Sequence, residues 1–233
     1  MAKKTDGLFN PFILPALNRA GYISSWVPTE LTANPPDYST RQVVGYEQLE
    51  ISGSKTRIPA DSAIDIGGIG KGYLLQNLSK IVESTDETNY WFSLGGDIIA
   101  RGVDAQKEPW RIQVADSANP SNSIAEVKVL SDHAIAITTS GTTKRNGKQN
   151  GKGWHHIINP KTGEPANTNI LTATLVTKNA IEADVYASCV VALGSKRYKK
   201  FLKNRQVDDS LAQFGKASDP KMELCGKLIS RNV

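Results

Sequence analysis

At 233 residues, with 39% hydrophobic and 22% charged residues, the chain has the composition of a globular protein and room for one large domain or two small ones. No run approaches the roughly 18 apolar residues of a membrane-spanning helix, and the start, MAKKTDGLFNPF, lacks the apolar core of a secretion signal. Two cysteines, Cys189 and Cys225, are too few for a disulfide framework, and the net charge of +5 suits either a phosphate-bearing partner or a merely basic surface.

In chain order, TANPPDYST (32–40) reads as a loop, because paired prolines block regular structure. AIDIGGIGKGYLLQNLSKIV (63–82) follows with four glycines in six residues, then apolar positions 74, 75, 78, 81 and 82 at helical spacing. A glycine-rich turn opening a helix lets backbone N–H groups approach a ligand, commonly phosphate. Two familiar patterns fail here. Asp65 stands where a P-loop needs its first glycine, Gly72 where it needs Ser or Thr, and Tyr73 where the dinucleotide pattern needs its third glycine.

Tyr90 to Ile99 reads as a strand interrupted at Gly95-Gly96, and WRIQVAD alternates at Trp110, Ile112 and Val114. AEVKVL, HAIAITT and NILTATLVT (169–177) are further strands. AIEADVYASCVVALG (180–194) is a helix ended by Gly194, with Cys189 a buried thiol in its apolar run. SKRYKKFLKNR (195–205) is a basic, solvated helix without the interleaved aromatics that stack on bases, so nucleic acid is not an expected partner. Strands that follow one another directly indicate an α+β fold with a largely antiparallel sheet and packed helices.

Helix 180–194 is apolar almost all round, and its only strongly polar side chains between Ala183 and Leu193 are Asp184 and Ser188. Four residues apart, they share a face. A buried carboxylate without a partner costs several kcal/mol. Asp184 therefore needs a neighbouring Arg or Lys, a capping role, or a hard cation such as Mg²⁺, which suits carboxylate and hydroxyl oxygens. Three other clusters have both an ordinary and a functional reading. SLGGDI (93–98) is a bulge or turn, or a ligand loop before Asp97. TTSGTTKR (138–145) is a turn, or an anion contact through Ser140 and Arg145. HHIINPKTGEP (155–165) sets two histidines before a turn rich in donors.

Taken in order, DGLFNP, DIGGIGKGY, SLGGDI, TSGTTKR, HHIINPKTGEP and ADVYAS resemble the successive motifs of the ApbE family, the FAD:protein FMN transferases, from about Asp6 to Gly194. The resemblance implies an α+β, T-fold-related architecture, FAD as substrate and Mg²⁺ as cofactor. It also implies transfer of FMN to a Thr or Ser hydroxyl of an acceptor flavoprotein, with release of AMP. Carried over by residue, Mg²⁺ is held by the main-chain carbonyl of Gly70 and the side chains of Asp184 and Ser188, where the family usually has Ala at the first position and Thr at the last. FAD meets Leu8, Phe9 and Asn10 (Asn for the family's usual Asp), Gly67, Lys71, Tyr73, Asp97, Ser140, Arg145 and Ile158. His156 also belongs to the FAD-binding set and acts in catalysis together with Asp184, and Asn159 stands where Asp is also common.

The family typically carries an additional N-terminal segment that helps form the FAD pocket. Residues 1–233 are expected to be a single domain of this type without it, and the compartment is left open. Two rival readings are a Mg²⁺-dependent FAD pyrophosphatase, giving FMN and AMP, and a non-catalytic FAD-binding module.

Overall fold

The computed structural model describes residues 1–22, 43–149 and 151–232, so the predicted loop at 32–40 lies outside the described residues. Along the chain, α1 (Leu14–Ala20) precedes β1 (Glu50–Ser52), β2 (Lys55–Arg57), α2 (Gly70–Glu83), β3 (Tyr90–Leu94), β4 (Asp97–Arg101), β5 (Trp110–Ala115), β6 (Ser123–Val129) and β7 (Ile135–Gly141). Then come β8 (Asn146–Gln149), β9 (Lys152–His155), β10 (Ile158–Asn159), β11 (Glu164–Pro165), β12 (Ile170–Thr177), α3 (Ala180–Leu193), α4 (Tyr198–Lys203), β13 (Asp209–Lys216), β14 (Asp219–Cys225) and β15 (Ile229–Arg231). These elements gather into two compact units, Met1–Ile66 with Thr142–Asn167, and Gly67–Gly141 with Thr168–Val233.

The second unit is built in three layers around a six-stranded antiparallel sheet of order β14-β13-β12-β7-β4-β3. Strand alternation sends one set of side chains to each face. Ile99 and Ala136 meet Leu75, Ala180 and Ala183 on the side of α2 and α3. Ala100, Ile135, Ile137, Val176 and Leu211 face the other way, onto Val114, Val127, Val129 and Ile229 of a three-stranded sheet, β15-β6-β5. The predicted strands at 110–116, around 125–130, at 133–139 and at 169–177 all appear. The interrupted strand at 90–99 is a hairpin: Gly95 and Gly96 both take positive φ, 59° and 93°, which a two-residue turn of this hand demands. The turn sets Asp97 at the head of β4, opposite Leu94.

The last two glycines of the stretch, Gly70 and Gly72, lie in the first turn of α2, so the helix begins four residues before its apolar pattern. Of that pattern, Leu75 is fully buried, whereas Leu74 and Ile81 are exposed. Helix α3 begins at Asn179, whose side-chain oxygen accepts the N–H groups of Ile181 and Glu182 (3.0 and 3.1 Å) and supplies the cap a helix start requires. Its apolar circumference is consumed by burial on several sides, and Asp184 goes in with it. Helix α4 is shorter than the predicted 195–205 and amphipathic, burying Tyr198, Phe201 and Leu202 while Lys199, Lys200 and Lys203 are exposed. Cys189 is buried, and both cysteines are free thiols.

Two glycines of the loop differ sharply in what they require. A Cβ on Gly72 would come within 2.8 Å of the Asp184 Cβ and closer still to the Ala180 carbonyl, so glycine there lets α2 lie against α3. A Cβ on Gly70 would meet nothing within 4 Å. Gly72→Ala is therefore expected to lower stability by about 1–3 kcal/mol through overpacking. Gly70→Ala, which improves helix propensity, should raise stability by up to about 1 kcal/mol. Chemical denaturation of the two variants checks the contrast.

In the first unit, Asn10 caps a short 3-10 turn (Pro11–Ile13) by accepting the Phe12 N–H at 2.9 Å, while its amide donates to the Val44 carbonyl at 2.8 Å. Ala16 and Leu17 of α1 pack on Ile158. Hairpins β8–β9 and β10–β11 complete the strands of this segment.

Candidate functional site

Eight of the residues predicted for the site belong to the second unit, and hydrogen bonds together with chain neighbours connect five of them. Asp184, 3% exposed on α3, accepts the Gly72 N–H through Oδ2 at 2.9 Å. Lys71, the preceding residue on α2, reaches the carboxylate of Asp97. The other oxygen of Asp97 accepts the Thr139 N–H of β7 at 2.9 Å. Next along β7, Ser140 shares a hydrogen bond of 2.9 Å with the Ser188 hydroxyl, one helical turn beyond Asp184. The circuit thus runs through α2, β4, β7 and α3.

Asp184 is the anomaly within it. Among the described residues neither Lys nor Arg forms a salt bridge with it, and the hydrogen bond it accepts comes from the Gly72 N–H through Oδ2. Burial, reinforced by the nearby Asp97 carboxylate, pushes its carboxyl up to about 6, with the Gly72 N–H and the Lys71 charge pulling the other way. The expected capping role goes to Asn179 instead. Carboxylate and hydroxyl stand on one face of α3, and Gly70 opens α2 two residues before the N–H that meets Asp184. This set of hard oxygens fits Mg²⁺. Among the described residues no three His, Cys, Asp or Glu side chains group around a common point. A cation here would therefore draw on hydroxyl, carbonyl and substrate oxygens. Tyr73 is 56% exposed and Gly67 is exposed ahead of the helix.

The remaining predicted residues lie in the first unit. His156 is half-buried; its Nδ1 lies 3.3 Å from the Arg145 carbonyl, which also accepts the His156 N–H at 3.1 Å. A carbonyl only accepts, so Nδ1 carries the proton and Nε2 of the neutral ring is the basic nitrogen. Tyr22 stands beside this pair, its ring centroid 6.2 Å from that of His156 and 5.9 Å from the Arg145 guanidinium carbon, and Trp154 meets Tyr22 edge-on at 6.2 Å. His155 differs in kind: its Nε2 donates to the Ala166 carbonyl at 3.1 Å, and burial pushes its pKa down. Leu8 and Phe9 are half-buried beside the capping Asn10, and Ile158 is buried on α1.

Sequence reasoning missed Thr139, Gly72, Tyr22 and Trp154. Thr139 acts through its backbone, which no side-chain pattern signals. Gly72 entered only as a failed P-loop position. Trp154 directly precedes HHIINPKTGEP, which was the available signal, whereas Tyr22 flanks none of the quoted motifs.

A helix opened by glycines meets a buried carboxylate, with a half-buried serine hydroxyl one turn further along α3, and oxygens of this kind suit a hard cation. The sequence profile of the ApbE family matches residues 1–211, and the chain belongs to that family. It is 25% identical over 206 residues to a FAD:protein FMN transferase of Escherichia coli K12, covering 86% of this chain and 58% of that protein. It is 26% identical over 224 residues to one of Vibrio cholerae, covering 92% of this chain and 66% of the relative. The crystal structure of the ApbE protein from Thermotoga maritima superimposes with a TM-score of 0.78 at 25% identity, over 96% of this chain and 72% of that one. The α+β, ApbE-like fold expected from the sequence is thus the fold observed. The chain spans less than two thirds of the length of these curated relatives.

Proposed function

We propose that this chain transfers FMN from FAD to a Ser or Thr hydroxyl of an acceptor flavoprotein, with Mg²⁺ as cofactor and AMP as the leaving product. The family and the names of its curated relatives support flavin transfer. The observation that carries the cation requirement is Asp184, a carboxylate buried on α3 against the first turn of α2 without a salt-bridge partner among the described residues.

In this reading Asp184, Ser188 and the Gly70 carbonyl hold the ion, and Ser140 orients the Ser188 hydroxyl. A bound divalent ion would supply neutralisation of the charge that develops on the diphosphate as it breaks. Lys71 adds positive charge at the same helix start, and its N-terminal N–H groups favour phosphate oxygens. Tyr73 and Gly67 are available to the nucleotide beside them, and Arg145 contributes positive charge from its own unit. His156 takes the proton of the incoming hydroxyl at Nε2, the nitrogen left basic by the Arg145 carbonyl. One P–O bond of the pyrophosphate breaks, the acceptor oxygen bonds to the FMN phosphorus, and AMP departs with the bridging oxygen.

Incubation with FAD, Mg²⁺ and an acceptor flavoprotein, followed by intact mass spectrometry, tests the proposal. An FMN adduct on the acceptor, with AMP formed in equal amount, is expected. AMP with free FMN and an unmodified acceptor would replace transfer by pyrophosphate hydrolysis, and the absence of both would leave FAD binding alone.

A further inference from the structure

Asp97 has no ligand role that its geometry requires, yet it is 1% exposed and both oxygens are engaged. One faces the Thr139 N–H, and the other takes the ammonium of Lys71. Lys71 passes beside the turn that delivers Asp97: its Cδ lies 3.8 Å from where a Cβ on Gly95 would stand, an ordinary contact distance. Lys71 is bonded directly to Gly72, whose N–H meets Asp184. Two carboxylates therefore lie near one flexible ammonium, and only Asp97 has it.

We propose that Asp97 is a positioning residue that holds the Lys71 ammonium away from Asp184 and thereby keeps Asp184 open to a divalent cation. Without it, Lys71 turns to the one carboxylate left, and an internal ion pair takes the place of the metal. The inference rests on the cation site proposed above. It is a statement about charge. With two carboxylates and one ammonium the circuit carries one net negative charge. Asp97→Asn brings it to zero, Lys71→Met to two negative charges, and the double substitution back to one.

The test is binding of Mn²⁺ alone, without FAD, followed by electron paramagnetic resonance of the free ion in the intact chain and three variants. Asp97→Asn is expected to weaken Mn²⁺ binding roughly 10- to 100-fold, the range over which a neighbouring opposite charge shifts ionic equilibria. Lys71→Met is expected to bind more tightly than wild type, and the double variant to return within about threefold of it by its restored charge. A double variant as weak as Asp97→Asn would overturn the proposal, since Asp97 would then be a ligand or a framework residue. Wild-type affinity in Asp97→Asn would overturn it too. Should Asp97→Asn not fold, Lys71→Met still decides, because equal or weaker binding contradicts the charge account. Failure of the wild type to bind Mn²⁺ would instead refute the cation site itself, a distinguishable result.

Discussion

Asp184→Asn is expected to abolish flavin transfer and at the same time to stabilise the metal-free protein. The two effects share one cause. The carboxyl is raised from an ordinary 3.8 to about 6 by burial, so at neutral pH the fold carries an ionised group that it disfavours. A shift of that size corresponds to about 2–3 kcal/mol. The penalty is complete above about 6, where the group is ionised folded and unfolded alike. It vanishes below 3.8, where the group is protonated in both states. Asparagine keeps the oxygen that accepts the Gly72 N–H and removes the charge. Metal-free Asp184→Asn should therefore be more stable than wild type at pH 7–8, and the difference should shrink as pH falls through 6 towards 4. Added Mg²⁺ should stabilise wild type and leave the variant unchanged. Transfer should drop by at least roughly 10²–10³-fold, the usual cost of removing one group that stabilises transition-state charge. Denaturation curves across pH, with and without Mg²⁺, separate these effects. A variant less stable than wild type at pH 8 would show that Asp184 is an ordinary satisfied carboxylate.

His156→Ala is expected to lower transfer by roughly 10²–10⁴-fold, the contribution of a positioned general base, while Mn²⁺ binding stays at the wild-type level. The split follows from the structure, because nothing in the Asp184–Gly72–Lys71–Asp97 circuit uses the imidazole. The neighbouring His155 serves as the control. Its ring holds the Ala166 carbonyl in a half-buried position, so His155→Ala should lower the melting temperature and leave the rate per folded molecule near wild type. Single-turnover measurement of acceptor modification distinguishes the two. Undiminished transfer by His156→Ala would move the base elsewhere.

What the sequence revealed of the site was its local part. Asp184 and Ser188 share a helix face by arithmetic, and an apolar helix around them implied burial, which is what α3 does. The paired glycines before Asp97 signalled a turn, and a turn is there. Illegible were the links between segments. The Lys71–Asp97 pair spans 26 residues and the Gly72–Asp184 bond 112, whereas periodicity reports only neighbours along one element. The start of α2 was obscured because glycine is a poor helix former, and only the approach of Ala180 explains its use at position 72. Strands β13 and β14 were not foreseen either. Gln213 is buried in β13, accepting the Ser117 N–H and donating to the Ala115 carbonyl and the Thr172 hydroxyl, so a core position carries a polar residue and the alternation is lost. Asn10, expected to meet flavin, has both ends of its amide engaged in capping and bridging the backbone, a task that its sequence neighbours do not announce.

The most direct test of the cation site is anomalous diffraction from crystals grown with FAD and Mn²⁺. One peak is expected at ligand distance, roughly 2.0–2.3 Å, from the Asp184 carboxylate, the Ser188 hydroxyl and the Gly70 carbonyl. Manganese bound only elsewhere, with Asp184 facing protein atoms alone, would contradict it.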